Sequence, residues 1–336
     1  MLGRPFEPLP FLGNPHVQTL LGSLVPGRTC PPPRRRLRLQ LPDGDSLVLH
    51  ENLPGGWLTG DPVALLVHGL TGSHASTHIR RMASLFLGRG VRTFRIDLRG
   101  AGHGLPLARN TYHAGRSEDL RSALGHLHHL FPTSPLFLVG VSLGGNMSLK
   151  LAGEAASHPV PGLTRIAVIN PPIDLVACAE LILQPRNRFY ERYFLKELVR
   201  AARQRQELFP DLPPLRFTPT MNLVEFDDCY TAPRNGFSSA VDYYSRTSAQ
   251  RFIPGIRIPT LILTAKDDPF IAVAPFLRLP SLPHVQIQIL SRGGHVGYLG
   301  WDGRGGYRWA ERSVVEWLTR PLTGSSRGPG QISSAQ

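Results

Sequence analysis

Short apolar runs punctuate the chain. "PVALLVHGL", "PLFLVGVSLGG", "TRIAVINPPID" and "PTLILTAKDDPF" are each apolar on successive residues rather than on alternate ones. A strand reads this way when both faces are buried, as in a parallel sheet covered by helices. Segments of helical periodicity lie between the runs: "HIRRMASLFLGRG", then "SEDLRSALGHLHHLF" with Leu120, Leu124, Leu127 and Leu130 on one stripe, and finally "YRWAERSVVEWLTRPL". "VRTFRIDLRGAGHG" and "VQIQILSRGGH" add further strands with loops. The alternation predicts an α/β fold, a mostly parallel central sheet with helices on both faces. Ahead of it, "RRLRLQLPDGDSLVLHE" predicts a hairpin around Pro42-Asp43-Gly44.

The pattern breaks between 176 and 250, where a long amphipathic helix, "NRFYERYFLKELVRAARQRQ", precedes an irregular proline-rich piece. An insertion there, between two core strands, reads as a helical cap or lid, with the core in 36–175 and 251–320. Residues 1–35 read as a proline-rich arm whose one helix-like piece is "NPHVQTLL". The low apolar content of 321–336 reads as a disordered tail.

With 41% of 336 residues hydrophobic, the chain has ample material for one large core. Cys30, Cys178 and Cys229 are far apart and odd in number, which points to a reducing compartment rather than a disulfide framework. The N-terminus lacks the apolar core of a signal peptide, and no run has the length of a membrane span, so a cytoplasmic protein is expected. The net charge of +13 invites a nucleic-acid reading. Yet only three of 37 basic residues are lysine, and the arginines are scattered, apart from Arg34 to Arg38. A nucleic-acid binder concentrates its charge on one face, so no nucleic acid is expected; a weak peripheral contact with a membrane surface remains open.

Gly140-Val141-Ser142-Leu143-Gly144 carries the chemistry. G-x-S-x-G between a strand and a helix is a nucleophile elbow: the turn forces the serine into a strained conformation and leaves no room for side chains at the glycines. The hydroxyl is then exposed near a helix N-terminus. A serine needs a base, and His295 in "SRGGHVGYLG" follows the last strand. An acid must orient the imidazole; "TAKDDPF" offers Asp267 or Asp268, with Asp174 as a weaker rival. The backbone N–H groups of Leu143 and of Leu70, in "HGLTGS", are the expected oxyanion donors. His74 and His78, four apart, and the run His126 to His129 read as surface helix rather than as metal ligands. His113 in "TYHAG" either contacts substrate or fixes its loop. The chemistry calls for no metal or organic cofactor.

"NPHVQTLL", "HGLTGS", "DLRGAGHG", "TYHAG", "SEDL", "GVSLGGNM", "EFDD", "DYY", "AKDDPF" and "GGHVGYLG" recur in order from about residue 11 to 318, and together resemble the YheT-like branch of the α/β-hydrolases. The resemblance implies the α/β-hydrolase fold and a serine hydrolase of carboxylic esters, a short-chain carboxylesterase or acylglycerol lipase acting on a small-molecule or lipid ester. It implies Ser142, Asp268 and His295 as the charge-relay residues. The register agrees: in Asp268-Pro269-Phe270-Ile271 the acid is followed by one residue and then two apolar ones. An acyltransferase using the same triad, or a non-catalytic binding protein, is the alternative. The oligomeric state is left open.

Overall fold

The computed structural model describes residues 5–25 and 27–321, so the expected tail lies outside the described residues except for Pro321. Strands β1 (Arg35–Gln40), β2 (Ser46–Asn52), β3 (Val63–Val67), β4 (Arg92–Asp97), β5 (Leu136–Val141), β6 (Leu163–Ile169), β7 (Thr260–Ala265) and β8 (Val285–Leu290) form one sheet. Their order is β1-β2-β4-β3-β5-β6-β7-β8. β2 pairs antiparallel with β1 and with β4, and every other pairing is parallel. The hairpin closes through Leu41 N–H donating to Asp45 O at 2.8 Å and Gly44 N–H to Leu41 O at 3.0 Å.

Residues of β3 show why the central strands read as continuous apolar runs. Val63, Leu65 and Val67 pack into one layer with α3 (Ser117–Leu130) and α4 (Leu143–Glu154), after α1 (Pro15–Leu24) and α2 (Thr77–Leu87) in chain order. Ala64 and Leu66 point the other way, into a layer with α2 and the closing helix Trp309–Leu318. Successive side chains of a strand alternate between faces, so two buried faces demand apolar residues throughout.

Between β6 and β7 stand α5 (Leu175–Ile182), α6 (Arg188–Leu208), α7 (Leu223–Phe226), a π turn at Asp227–Thr231, α8 (Ala232–Arg234) and α9 (Ala240–Thr247). The short α10 (Ala274–Leu277) follows β7, and α11 is Trp309–Leu318. At the N-terminus, Asn14 caps α1 by accepting from His16 and Val17 N–H. The helix is tied to the loop after β8: buried Gln18 donates to Leu299 O at 3.2 Å and accepts from Leu299 N–H at 2.7 Å.

Arginine is partly an interior residue here. Arg81, Arg92, Arg95, Arg99, Arg165, Arg205 and Arg308 are buried. Arg99 pairs with Asp119 and Asp45, both at 2.8 Å, and Arg81 with Glu311 at 2.9 Å. Part of the basic excess is thus interior. Among the described residues no helix is long and apolar enough to cross a membrane.

Candidate active site

β5 ends at Val141 and α4 begins at Leu143, leaving one residue, Ser142, to reverse the chain at φ 52° and ψ −122°. That conformation is strained for a residue with a Cβ, and neighbouring bonds hold it. Ser142 N–H donates to Ile169 O at 2.9 Å, and Ser142 O accepts from Gly145 N–H at 2.8 Å. The flanking glycines are sterically required. A Cβ on Gly140 would lie 2.4 Å from Gly144 O, and one on Gly144 would lie 2.4 Å from His68 O.

The loop after β3 packs directly on the serine. A Cβ on Gly69 would sit 3.0 Å from Ser142 Cβ and 3.5 Å from its Oγ. Tyr112 steadies this loop by accepting from Thr71 N–H at 2.7 Å. His68, fully buried and held neutral by that burial, bonds Gly69 O through Nδ1 at 2.8 Å. Among the described residues neither the Leu70 N–H nor the Leu143 N–H meets a protein acceptor. Both donors are therefore free, and that of Leu143, next to Ser142, stands at the N-terminus of α4, where the helix dipole favours negative charge.

On the parallel strands the loops after β5, β7 and β8 all emerge at the same edge of the sheet. There Asp268 Oδ2 meets His295 Nδ1 at 2.8 Å. The buried carboxylate is saturated: Oδ1 accepts from Phe270 and Ile271 N–H, each at 3.0 Å, and Oδ2 also accepts from Asn170 Nδ2 at 2.6 Å. Asp267 turns elsewhere, its Oδ1 accepting from Gly294 N–H at 3.0 Å, and burial pushes its carboxyl above the ordinary range. Asp174 caps α5 by accepting from Ala177 N–H. Of the candidate acids, Asp268 is the one joined to the imidazole. His295 is held further by the Phe270 ring, with centroids 4.1 Å apart, and by its N–H donating to Thr19 Oγ1 at 2.9 Å.

Ser142, Leu143 and Leu70 open onto a cavity of about 290 Å³. Its other walls include Tyr112, His113, Phe194, Leu198, Arg205, Asp227 and Phe270. His113 fixes its loop and stands in the cavity wall: its Nδ1 accepts from Gly115 N–H at 3.1 Å. Burial, reinforced by Arg116 and Lys150, pushes its pKa down to about 3, so it is neutral near pH 7. Burial pushes Asp227 up to about 6 and the Cys178 thiol up to about 12, which leaves Cys178 unreactive in the same wall.

The aromatic stripe of α6 divides. Phe194 and Leu198 face the cavity, Tyr190 is buried and meets His16 Nδ1 at 3.1 Å, and Phe189 and Tyr193 are exposed. The reading of His74 and His78 as two residues of a surface helix needs correction. His74 precedes α2 in a turn, and His78 on α2 has a buried Nε2 with no partner among the described residues. Residues absent from the expected site are Asn170, Tyr112 and Thr19. Asn170 sits at φ 46°, a conformation asparagine tolerates, so "INPP" held a local signal; Thr19 held none.

The α/β hydrolase fold family model matches residues 62–300. YheT of Escherichia coli (strain K12) is 32% identical over 326 residues, which cover 96% of this chain and 95% of that relative. The chain belongs to the YheT-like α/β-hydrolases. Phospholipase ABHD3 of Mus musculus is 29% identical over 242 residues, covering 71% of this α/β-hydrolase but only 58% of the phospholipase. Among solved structures, a 2,6-dihydroxy-pseudo-oxynicotine hydrolase shares the fold with a TM-score of 0.57 at 19% identity, over 90% of this α/β-hydrolase and 70% of that chain.

Proposed function

We propose that the protein is a serine hydrolase of carboxylic esters that works through an acyl-enzyme on Ser142. The observation that carries this reading is the Asp268–His295 pair at 2.8 Å on the sheet edge where Ser142 is held at φ 52°. With Nδ1 engaged by Asp268, His295 presents Nε2 as the base. Ser142 Oγ attacks the ester carbonyl as its proton passes to His295 Nε2. The Leu143 and Leu70 N–H groups receive the oxyanion, each such donor typically stabilising the transition state by about 3–4 kcal/mol. The C–O bond then breaks, and the imidazolium protonates the departing alcohol. Water, activated by the same nitrogen, attacks the acyl-enzyme and releases the carboxylic acid. Asp268 holds the tautomer and stabilises the imidazolium.

A largely apolar wall of aromatic and aliphatic side chains supports a lipid or short-chain acyl ester as substrate, the short-chain carboxylesterase or acylglycerol lipase type. The phospholipase name of one relative points the same way. Free thiols at Cys30, Cys178 and Cys229 support a cytoplasmic setting. The direct test is a panel of p-nitrophenyl esters from acetate to palmitate, assayed with wild type and Ser142→Ala. Hydrolysis of at least one ester, reduced by several orders of magnitude in the variant, is expected. A variant keeping more than about a tenth of the activity would sink the assignment. Added alcohol appearing in the product as a new ester would instead mark the enzyme as an acyltransferase.

A further inference from the structure

Seven arginines are buried among the described residues, and six of them have their charge answered within the protein. Arg81, Arg92 and Arg99 meet the carboxylates of Glu311, Glu51 and Asp119. Arg95 donates to Asn52 Oδ1 at 3.0 Å and to His74 O at 2.7 Å. Arg165 donates to Leu318 O and Arg320 O, both at 2.6 Å, and Arg308 to Gly22 O at 2.9 Å and to Val25 O. Arg205 is the exception. It is 3% exposed and donates once, from Nη1 to Tyr230 OH at 3.3 Å. Among the described residues it forms no ion pair, and its buried Nε meets no acceptor.

Arg205 stands in the wall of the cavity onto which Ser142 opens. α6 turns one stripe to that cavity, Phe194, Leu198, Ala202 and Arg205, at the three- and four-residue spacing of a helix face. The stripe is apolar until its last member, which is cationic. Gly100, in the loop after β4 and in the same wall, makes room for the guanidinium: a Cβ there would stand 1.4 Å from Nη2. The acids of this wall are engaged elsewhere. Glu197 pairs with Arg200 at 3.4 Å, and Asp227 accepts from Thr231 Oγ1 and from Tyr244 OH, each at 2.6 Å. A charge withdrawn from water without a counter-ion is costly, and a substrate cavity is the place where the counter-ion can arrive with the ligand.

We propose that Arg205 binds an anionic group of the substrate, so that the ester taken by this cavity carries a carboxylate or a phosphate in addition to its scissile carbonyl. The inference rests on the reading of the cavity as an ester site and adds the class of ester to it. The planar guanidinium, with donors unused by the protein, matches the oxygens of either anion. Phe194 and Leu198 receive the apolar part of the same molecule. A neutral ester of equal length leaves the buried guanidinium unpaired and is bound less tightly for that reason. Arg205 selects the substrate and takes no part in acyl transfer.

The test reads binding on the full chain carrying Ser142→Ala, so that no ester turns over. Isothermal titration compares two matched pairs: 1-octanoylglycerol 3-phosphate with 1-octanoylglycerol, and mono-octyl succinate with octyl methyl succinate. One anionic ester should bind at least about tenfold tighter than its neutral partner, the worth of a hydrogen bond to a charged group. Which pair shows the preference tells phosphate from carboxylate. Adding Arg205→Gln should erase it. Arg205→Met takes the place of the glutamine variant if that does not fold, and the preference of the Ser142→Ala chain decides alone if neither folds. Equal affinities within both pairs, binding of none of the four, or a preference that persists without Arg205 overturns the proposal. Hydrolysis by the wild type, and its loss in Ser142→Ala, tests the ester-hydrolase reading separately.

Discussion

The two sides of the cavity are built from different bonds. On the side of the sheet, Ser142 and Asp268 sit at the ends of β5 and β7, and backbone groups fix them: Ile169 O for the serine N–H, Phe270 and Ile271 N–H for the carboxylate. The opposite side, the helices between β6 and β7, is tied down by side chains. Asn146 on α4 donates to Ala114 O and Thr247 O and accepts from Ala249 N–H, and Tyr243 OH accepts from Ala114 N–H. Asn187 Nδ2 donates to Pro269 O. Backbone ties survive most substitutions, whereas side-chain ties change with a single residue. The groups proposed to react are thus set by the fold, and side chains hold the wall of helices between β6 and β7.

The sharpest way to break this division lies on the sheet side. Asp268→Asn should lower kcat by about 10⁴-fold, because the imidazole tautomer is no longer fixed. Asp267→Asn should cost far less, since Asp267 bonds the Gly294 backbone rather than the imidazole. Steady-state kinetics on one ester compare the two, and reversed penalties would show that the acid had been misplaced.

His113 lies at the seam, edge-on to Phe237 and Tyr243. Its folded pKa, about 3, is below the ordinary 6.5, so below about pH 6.5 the unfolded chain binds a proton that the folded one refuses. Its contribution to stability is complete above that pH and is lost as pH falls toward 3. At pH 5 the loss is about 2 kcal/mol. His113→Gln removes this dependence. Denaturant titrations at pH 7.5 and pH 5 should therefore show the gap between wild type and variant moving in the variant's favour by about that amount. A pH-independent gap would mean that the folded and unfolded chains protonate His113 alike, so that burial does not hold it neutral.

On the helical side, Phe194→Ala enlarges the cavity and should raise kcat/KM for long over short acyl esters by about tenfold. Tyr193→Ala should leave the profile unchanged, because the residue is 53% exposed and does not line the cavity. Equal shifts in both variants would place α6 differently. The smallest effect is expected from Thr19→Val, which takes the acceptor from His295 N–H. About 1 kcal/mol of stability and less than about tenfold in kcat should go with it, read from a denaturation curve and one kinetic assay.

What the sequence made legible follows the same line. The elbow was readable because contiguous residues make it, and its glycines answer to clashes within one turn. Asp268 was preferred to Asp267 for the two apolar residues that follow it one position on, and it is the aspartate that meets His295 Nδ1. Thr19 was not readable, since it reaches His295 across most of the chain from a helix with no chemical signature. Local spacing also misled: His74 was compared with His78, four residues on, while its partners His50, Asp97 and His103 come from β2, β4 and the loop after β4. The stripe on α6 was visible as a pattern, but which rings face inward depends on where the helix docks. The net charge likewise gave no hint that several arginines are interior ion-pair partners.

The most direct measurement is reaction of the folded, full-length protein with a fluorophosphonate, the adduct mapped by peptide mass spectrometry. One adduct on Ser142 is expected, forming far more slowly in Asp268→Asn. No adduct on folded protein, or an adduct on another residue with Ser142 unmodified, would contradict the assignment of Ser142 as the nucleophile.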